Sequence, residues 1–173
     1  DSTSSADCVI DVSAIEVASA YFQDTYTGNI TTSGTTFTIN TGNFEVSCTN
    51  FDTSNVSVVF TGAASQSLGY NDGMMFNSVQ NSMTGGTLNF ETFTNITLSK
   101  LTVDAGTDTR IPSHGRRLTV SELVLGESGG ATSYLHGASA VYIGGLNLTT
   151  TDQTISNIIF TDVNANAGTR SEE

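Results

Sequence analysis

The chain has 173 residues, 37% of them hydrophobic and only 13% charged, which is enough for one well-buried core. Its formal net charge is −12, from 17 acidic against five basic residues. That balance argues against a nucleic-acid partner and against docking on anionic lipid, since both need clusters of Lys and Arg. Roughly one residue in six is threonine, a β-branched residue that fits a pleated, half-wet surface, so strands are expected over helices.

Residues 1–7 are a polar leader. Over residues 8–22 the apolar positions Ile15 and Val17, followed by Ser19 and Tyr21, alternate as in a strand with one buried face. Residues 24–34 are turn-rich. Thr36 to Asn40 alternates cleanly, and Phe44, Val46 and Cys48 share a face opposite Glu45, Ser47 and Thr49. Residues 50–54 read as a turn, after which Val56, Val58 and Phe60 point inward, so residues 43–62 are expected to form a β-hairpin. Residues 63–86 carry turn signals around Met74, Met75 and Phe76 and read as a long loop or irregular edge.

Strand pattern returns at residues 87–93 and 95–103, with Ile96 and Leu98 inward. Residues 104–117 hold the one proline, Pro112, and read as a surface loop. The run from Leu118 to Leu125 loses alternation at Glu122, which predicts a bulge or a sheet-switching bend. A Gly-rich turn, an apolar run over 138–143 and a last strand over 154–163 complete the pattern. Eight to ten short strands with turns between them predict an all-β, antiparallel β-sandwich or jelly roll with an N-terminal extended segment. The division is residues 1–22 as extension and 23–173 as the β-sandwich domain. A parallel β-helix is the rival, but no fixed repeat period is visible.

Cys8 and Cys48 are the two cysteines, with no CxxC pair. A disulfide in an oxidising compartment is expected; it would close a loop of about 40 residues, worth about 3–4 kcal/mol in the chain-entropy model. Two buried free thiols are the alternative. No apolar run approaches the ~18 residues a membrane span needs, and the start at Asp1 without methionine reads as a mature, secreted form.

Four Asn-x-Ser/Thr sequons mark Asn29, Asn55, Asn95 and Asn147 as glycosylation candidates, about as many as chance gives in a chain this rich in Asn, Ser and Thr. Their middle residues are aliphatic, as strand alternation alone would produce. No cofactor is expected. Calcium has some candidates but no supporting pattern: Asp104, Asp108, the Asn71, Asp72, Gly73 turn, and the run from Asp162 to Glu173, in which Ala167 replaces the glycine of a calcium loop. His114 and His136 lack metal-ligand spacing. No nucleophile elbow, zinc-protease helix or phosphate loop occurs, so no enzyme is expected. Tyr70, Tyr134 and Tyr142 leave sugar stacking open in a chain without tryptophan. Arg116 and Arg117 read as a loop salt-bridge pair or a processing site.

The segment Ala140, Val141, Tyr142, Ile143, Gly144, Gly145, Leu146, Asn147, Leu148, with Gln153 and the strand from Ile158 to Val163, resembles the closing portion of pilin-like β-sandwich domains of bacterial surface fibres. The 43–62 pair is similar to theirs too, and the resemblance covers about a third of the chain. It departs in lacking a Gly-Thr-Tyr lead into the last strand and in its long 63–86 segment. The resemblance implies a non-enzymatic protomer of an extracellular filament, its partner a second copy of itself. An N-terminal segment carrying Val9, Ile10, Val12, Ile15, Val17 and Tyr21 would add a strand to the neighbour, and such a head-to-tail contact propagates. Donation of the whole segment requires Cys8 to be free or bonded to another chain. A monomeric secreted carbohydrate-binding or adhesin module that binds surface glycans is the other reading, and a secreted β-helix hydrolase a third.

Overall fold

The structure, a computed structural model, describes residues 5–92, 95–111, 117–126, 134–136 and 140–147. The expected last strand over 154–163, the calcium-loop candidate at Asp162, and His114 and Arg116 lie outside these residues. The described residues form fifteen strands: β1 Cys8–Ile10, β2 Ala14–Val17, β3 Ala20–Phe22, β4 Ile30–Thr32, β5 Thr36–Ile39, β6 Phe44–Val46, β7 Ser57–Phe60, β8 Gln66–Tyr70, β9 Met75–Asn81, β10 Thr87–Thr92, β11 Asn95–Val103, β12 Asp108–Arg110, β13 Arg117–Leu125, β14 Tyr134–His136 and β15 Ala140–Asn147.

They do not form an antiparallel sandwich. One sheet runs β15-β13-β11-β9-β7-β5-β2, a second runs β14-β12-β10-β8-β6-β3, and β1 pairs with β4 on a third, shorter face. Each ladder between described strands is parallel. Alternate strands of the chain fall in alternate sheets, so the chain winds as a parallel β-solenoid. This corrects the jelly-roll and β-sandwich expectation, including the sandwich implied by the resemblance to pilin-like domains. The rival β-helix architecture is the one adopted.

Three local expectations change with it. The 43–62 pair is not a hairpin, because β6 and β7 belong to different sheets. The 63–86 segment is not a loop but supplies β8 and β9, and the 104–117 segment contains β12 with Ile111 fully buried. Residues 8–22 are hydrogen-bonded into these same sheets as the first coil, pairing with β4, β5 and β6.

The coil length varies. Cys8 pairs with Ile30, a step of 22 residues; Thr36 with Ser57, 21; Phe44 with Leu68, 24; and Asp108 with Tyr134, 26. Stacking sets columns of like environment. Ile15, Phe37, Val58, Val79, Leu101 and Leu123 are successive register partners in one sheet. Beyond the half-buried Ile15, the column members are at most 3% exposed. Burying such side chains is the main stabilising term, each contributing about 1.5–3 kcal/mol. In β9, β11 and β13 the register passes from Leu98 to Lys100 without Ser99, and both Asn77 and Ser78 donate their N–H to the Val56 carbonyl. One residue is skipped at the same level on each of these long strands, so they turn a corner in step, and the lost alternation at Glu122 lies at that bend.

The corners are held by side chains reaching across one coil. Gln66, 1% exposed, accepts from the Gly62 N–H at 3.0 Å and donates to the Ile39 and Gly42 carbonyls, both at 3.1 Å. Gly62 has to be glycine, since a Cβ there would lie 2.5 Å from the Asn40 carbonyl oxygen. Asn40 donates to Glu16 Oε1 at 2.9 Å, and Thr61 donates to Asn40 Oδ1 at 3.0 Å, so the polar stack climbs coil by coil.

One corner reports on pH. The Asp52 carboxylate accepts from the Ser54 hydroxyl at 2.7 Å and the Ser54 N–H at 3.0 Å, which holds it below the usual carboxylate range. Its folded pKa is lowered, so this support is fully present above the unfolded carboxylate value and is lost as pH falls through the folded one. An NMR titration is expected to show the Ser54 amide shift moving with a midpoint below about 3.9. A midpoint at or above that value would mean the turn does not hold the carboxylate.

Candidate functional site: the open first coil

Inward positions of the second coil are closed: Phe37, Ile39, Phe44 and Val46 are 3%, 0%, 0% and 1% exposed. Their neighbours in the first coil, Ile15, Val17, Ala20 and Phe22, are only half-buried, as is Ile10. β2 and β3 stand at the ends of their sheets, and among the described residues no strand pairs with the outer edge of β1, β2 or β3. The first coil thus presents unpaired backbone groups over half-covered apolar side chains, the state that solenoids cap and that edge strands otherwise use for pairing.

Three large hydrophobic residues of this coil are exposed outright: Val9 (68%), Val12 (47%) and Tyr21 (55%). Ile15, Val17 and Tyr21 were expected on one face. Instead a corner at Ala18 and Ser19 separates β2 from β3 and resets the alternation, so Phe22 turns inward and Tyr21 outward. Two hollows flank Tyr21. One, of about 360 Å³, is lined by Tyr21, Phe22, Gln23, Asp24, Glu45 and Ser47. The other, of about 260 Å³, shares Tyr21, Phe22 and Gln23 and adds Cys8, Thr25, Tyr26 and Ile30.

The expected Cys8–Cys48 bond is not made: both are free thiols, Cys8 exposed and Cys48 buried. Cys48 follows β6 and turns into the core, where burial pushes its thiol pKa up, whereas Cys8 opens the first coil facing solvent. The segment is fastened by other bonds. Cys8 donates its N–H to the Asn29 carbonyl at 2.8 Å, Tyr26 donates its hydroxyl to the Ala6 carbonyl, and Asp7 Oδ1 accepts from the Asn29 N–H and Nδ2 at 2.9 and 3.0 Å.

The other candidates are dispersed. Asn29 and Asn55 are exposed beside buried Ile30 and Val56, while Asn95 and Asn147 are placed on β11 and β15 by backbone alone. Asp108 Oδ2 faces Arg110 at 3.2 Å and Thr87 Oγ1 at 3.1 Å; Asp104 Oδ2 accepts from Gln80 at 3.1 Å and from Ser82. No group of three or more potential metal ligands occurs among the described residues. Tyr70 is buried, its hydroxyl pKa pushed well up by burial and by Asp72, so it offers no ring to a sugar. No helix among the described residues is long and apolar enough to cross a membrane. Comparison with protein families, curated proteins and solved structures finds no match to this chain.

Proposed function

We propose that this chain is a structural protomer of an extracellular filament, joined end to end through its first coil. The carrying observation is that coil's open edge: among the described residues no strand pairs with the outer edges of β1, β2 and β3, above Ile10, Ile15, Val17 and Phe22, and a second copy covers them by adding parallel strands. The first coil stays in its own solenoid instead of being donated as a free arm. A head-to-tail contact between unlike ends does not close and so propagates. The Thr- and Asn-rich exterior with a single lysine, Lys100, fits an extracellular setting and a partner that is neither nucleic acid nor anionic membrane.

Copies carrying −12 each repel one another, so association is expected to strengthen as salt screens them. Sedimentation velocity and negative-stain imaging are expected to show head-to-tail oligomers that lengthen with protein and salt. Ile15→Lys, at the half-buried edge, is expected to leave a folded monomer by circular dichroism. A wild-type chain that stays monomeric at every concentration and ionic strength would sink the filament reading.

A further inference from the structure

The outward face of the β3-β6-β8-β10 sheet carries a second feature that the open edge does not use. Tyr21, Glu45, Gly69 and Glu91 are register partners on four successive coils, about 4.8 Å apart. Tyr21 shows an exposed ring at the foot of this column. The hollow of about 360 Å³ opens beside it, with Phe22 as apolar floor and Gln23, Asp24, Glu45 and Ser47 as polar rim. Above Glu45 the column passes through Gly69, whose missing side chain leaves room for that of Glu45: a Cβ there would meet Glu45 Cγ at 3.4 Å and the Glu91 carbonyl oxygen at 3.5 Å. A ligand laid along the solenoid axis therefore meets a ring and a carboxylate at the hollow, then a further carboxylate two coils above the first.

We propose that this groove binds a polysaccharide chain bearing free amino groups. A sugar ring has an apolar face that stacks on an exposed tyrosine and a rim of hydroxyls that a carboxylate, an amide and a serine hydroxyl can pair. The charge selects the sugar class. Two carboxylates in the hollow, a third up the column and a chain of −12 repel uronic or sulfated sugars and attract ammonium groups. An ammonium over Tyr21 adds a cation–π contact. The hollow's polar rim suits hydroxyls better than the alternate apolar side chains of a peptide strand.

Isothermal titration of the intact chain with a glucosamine hexamer, at a pH where its amines are charged, tests this. Binding that weakens with salt is expected, reduced about tenfold or more by Tyr21→Ala and by Glu45→Gln. Glu122→Gln, on the other long sheet, is expected to leave it unchanged. Thermal melts check that each variant is folded, since all three positions lie on the outward surface. Absence of binding overturns the proposal. So does equal binding of hexalysine, which would make the groove a general polycation or peptide site, and so does binding that all three variants leave unaltered. The titration is read on the monomer fraction, so its outcome is independent of filament formation.

Discussion

Phe44→Ala is expected to destabilise the fold by about 3–5 kcal/mol, the range for removing a fully buried phenylalanine ring. Phe44 is 0% exposed, and its ring centroid lies 5.2 Å from Phe37, 5.6 Å from Phe22 and 5.9 Å from Phe76. Those partners come from the first, second and fourth coils, so one truncation opens a cavity that several turns of the solenoid share. Their backbones are fixed by parallel ladders and have little freedom to collapse into the gap. In a chain of this size the loss corresponds to roughly 10 °C in melting temperature. A solenoid transmits damage chiefly between neighbouring coils, so hydrogen exchange is expected to speed up over β2 to β8 while β11 and β13 keep their protection. Phe44→Leu, which restores most of the volume, is expected to recover more than half of the stability. A shift below ~1 kcal/mol for the alanine variant would mean that the aromatic group is not the packed centre of this end.

Part of that group was legible in the sequence: Phe37 and Phe44 lie in alternating runs, whereas Phe76 reads as loop and Phe22 falls opposite the expected inward face. Val58 and Phe60 read as inward, Phe44 and Val46 as sharing one face, and Phe37 and Ile39 as part of a clean alternation; all six are at most 3% exposed. The direction of the neighbouring strands was not legible. Parallel strands are usually buried on both faces and read as continuous apolar runs. Here the outer face is wet, so each strand alternates as an antiparallel one would. The repeat was hidden because corners absorb extra residues and because a column asks only for apolar volume, met by Ile15, Phe37, Val58, Val79, Leu101 and Leu123 in turn. β8 escaped notice because its inward side includes Gln66, a polar residue spent on closing corners. Tyr21 was assigned to the wrong face because nothing at Ala18 and Ser19 advertises the corner that shifts the phase. No run of residues marked the open edge, which exists only once the coils are stacked.

Asn81→Asp is expected to cost about 4 kcal/mol at neutral pH and much less near pH 4. Asn81 occupies a column whose other members are Val17, Ile39, Phe60, Val103 and Leu125, and it is 0% exposed. Its amide closes the corner: Nδ2 donates to the Asp108 carbonyl at 3.0 Å and to Thr109 Oγ1 at 2.8 Å, while Oδ1 accepts from the Met83 N–H at 3.1 Å. An ionised aspartate keeps the acceptor and loses both donors, setting a negative oxygen against the Asp108 carbonyl without water to relieve it. Burial and that repulsion raise the folded pKa of the new carboxyl above its unfolded value of about 3.9. The native state then holds more protons than the unfolded one. Stability relative to the parent therefore falls as pH rises from about 4, and it levels off above the folded pKa. Below that window the neutral acid still has one O–H donor, and only a single hydrogen bond, about 1 kcal/mol, is missing. Urea unfolding of both proteins at pH 4 and pH 7 gives the difference directly. Asn81→Leu serves as the reference, because it fills the column but removes the three hydrogen bonds of the amide, a loss with no pH dependence of its own. If the aspartate variant loses the same amount at both pH values, its carboxylate has reached solvent, and the corner is looser than three hydrogen bonds to a buried amide require.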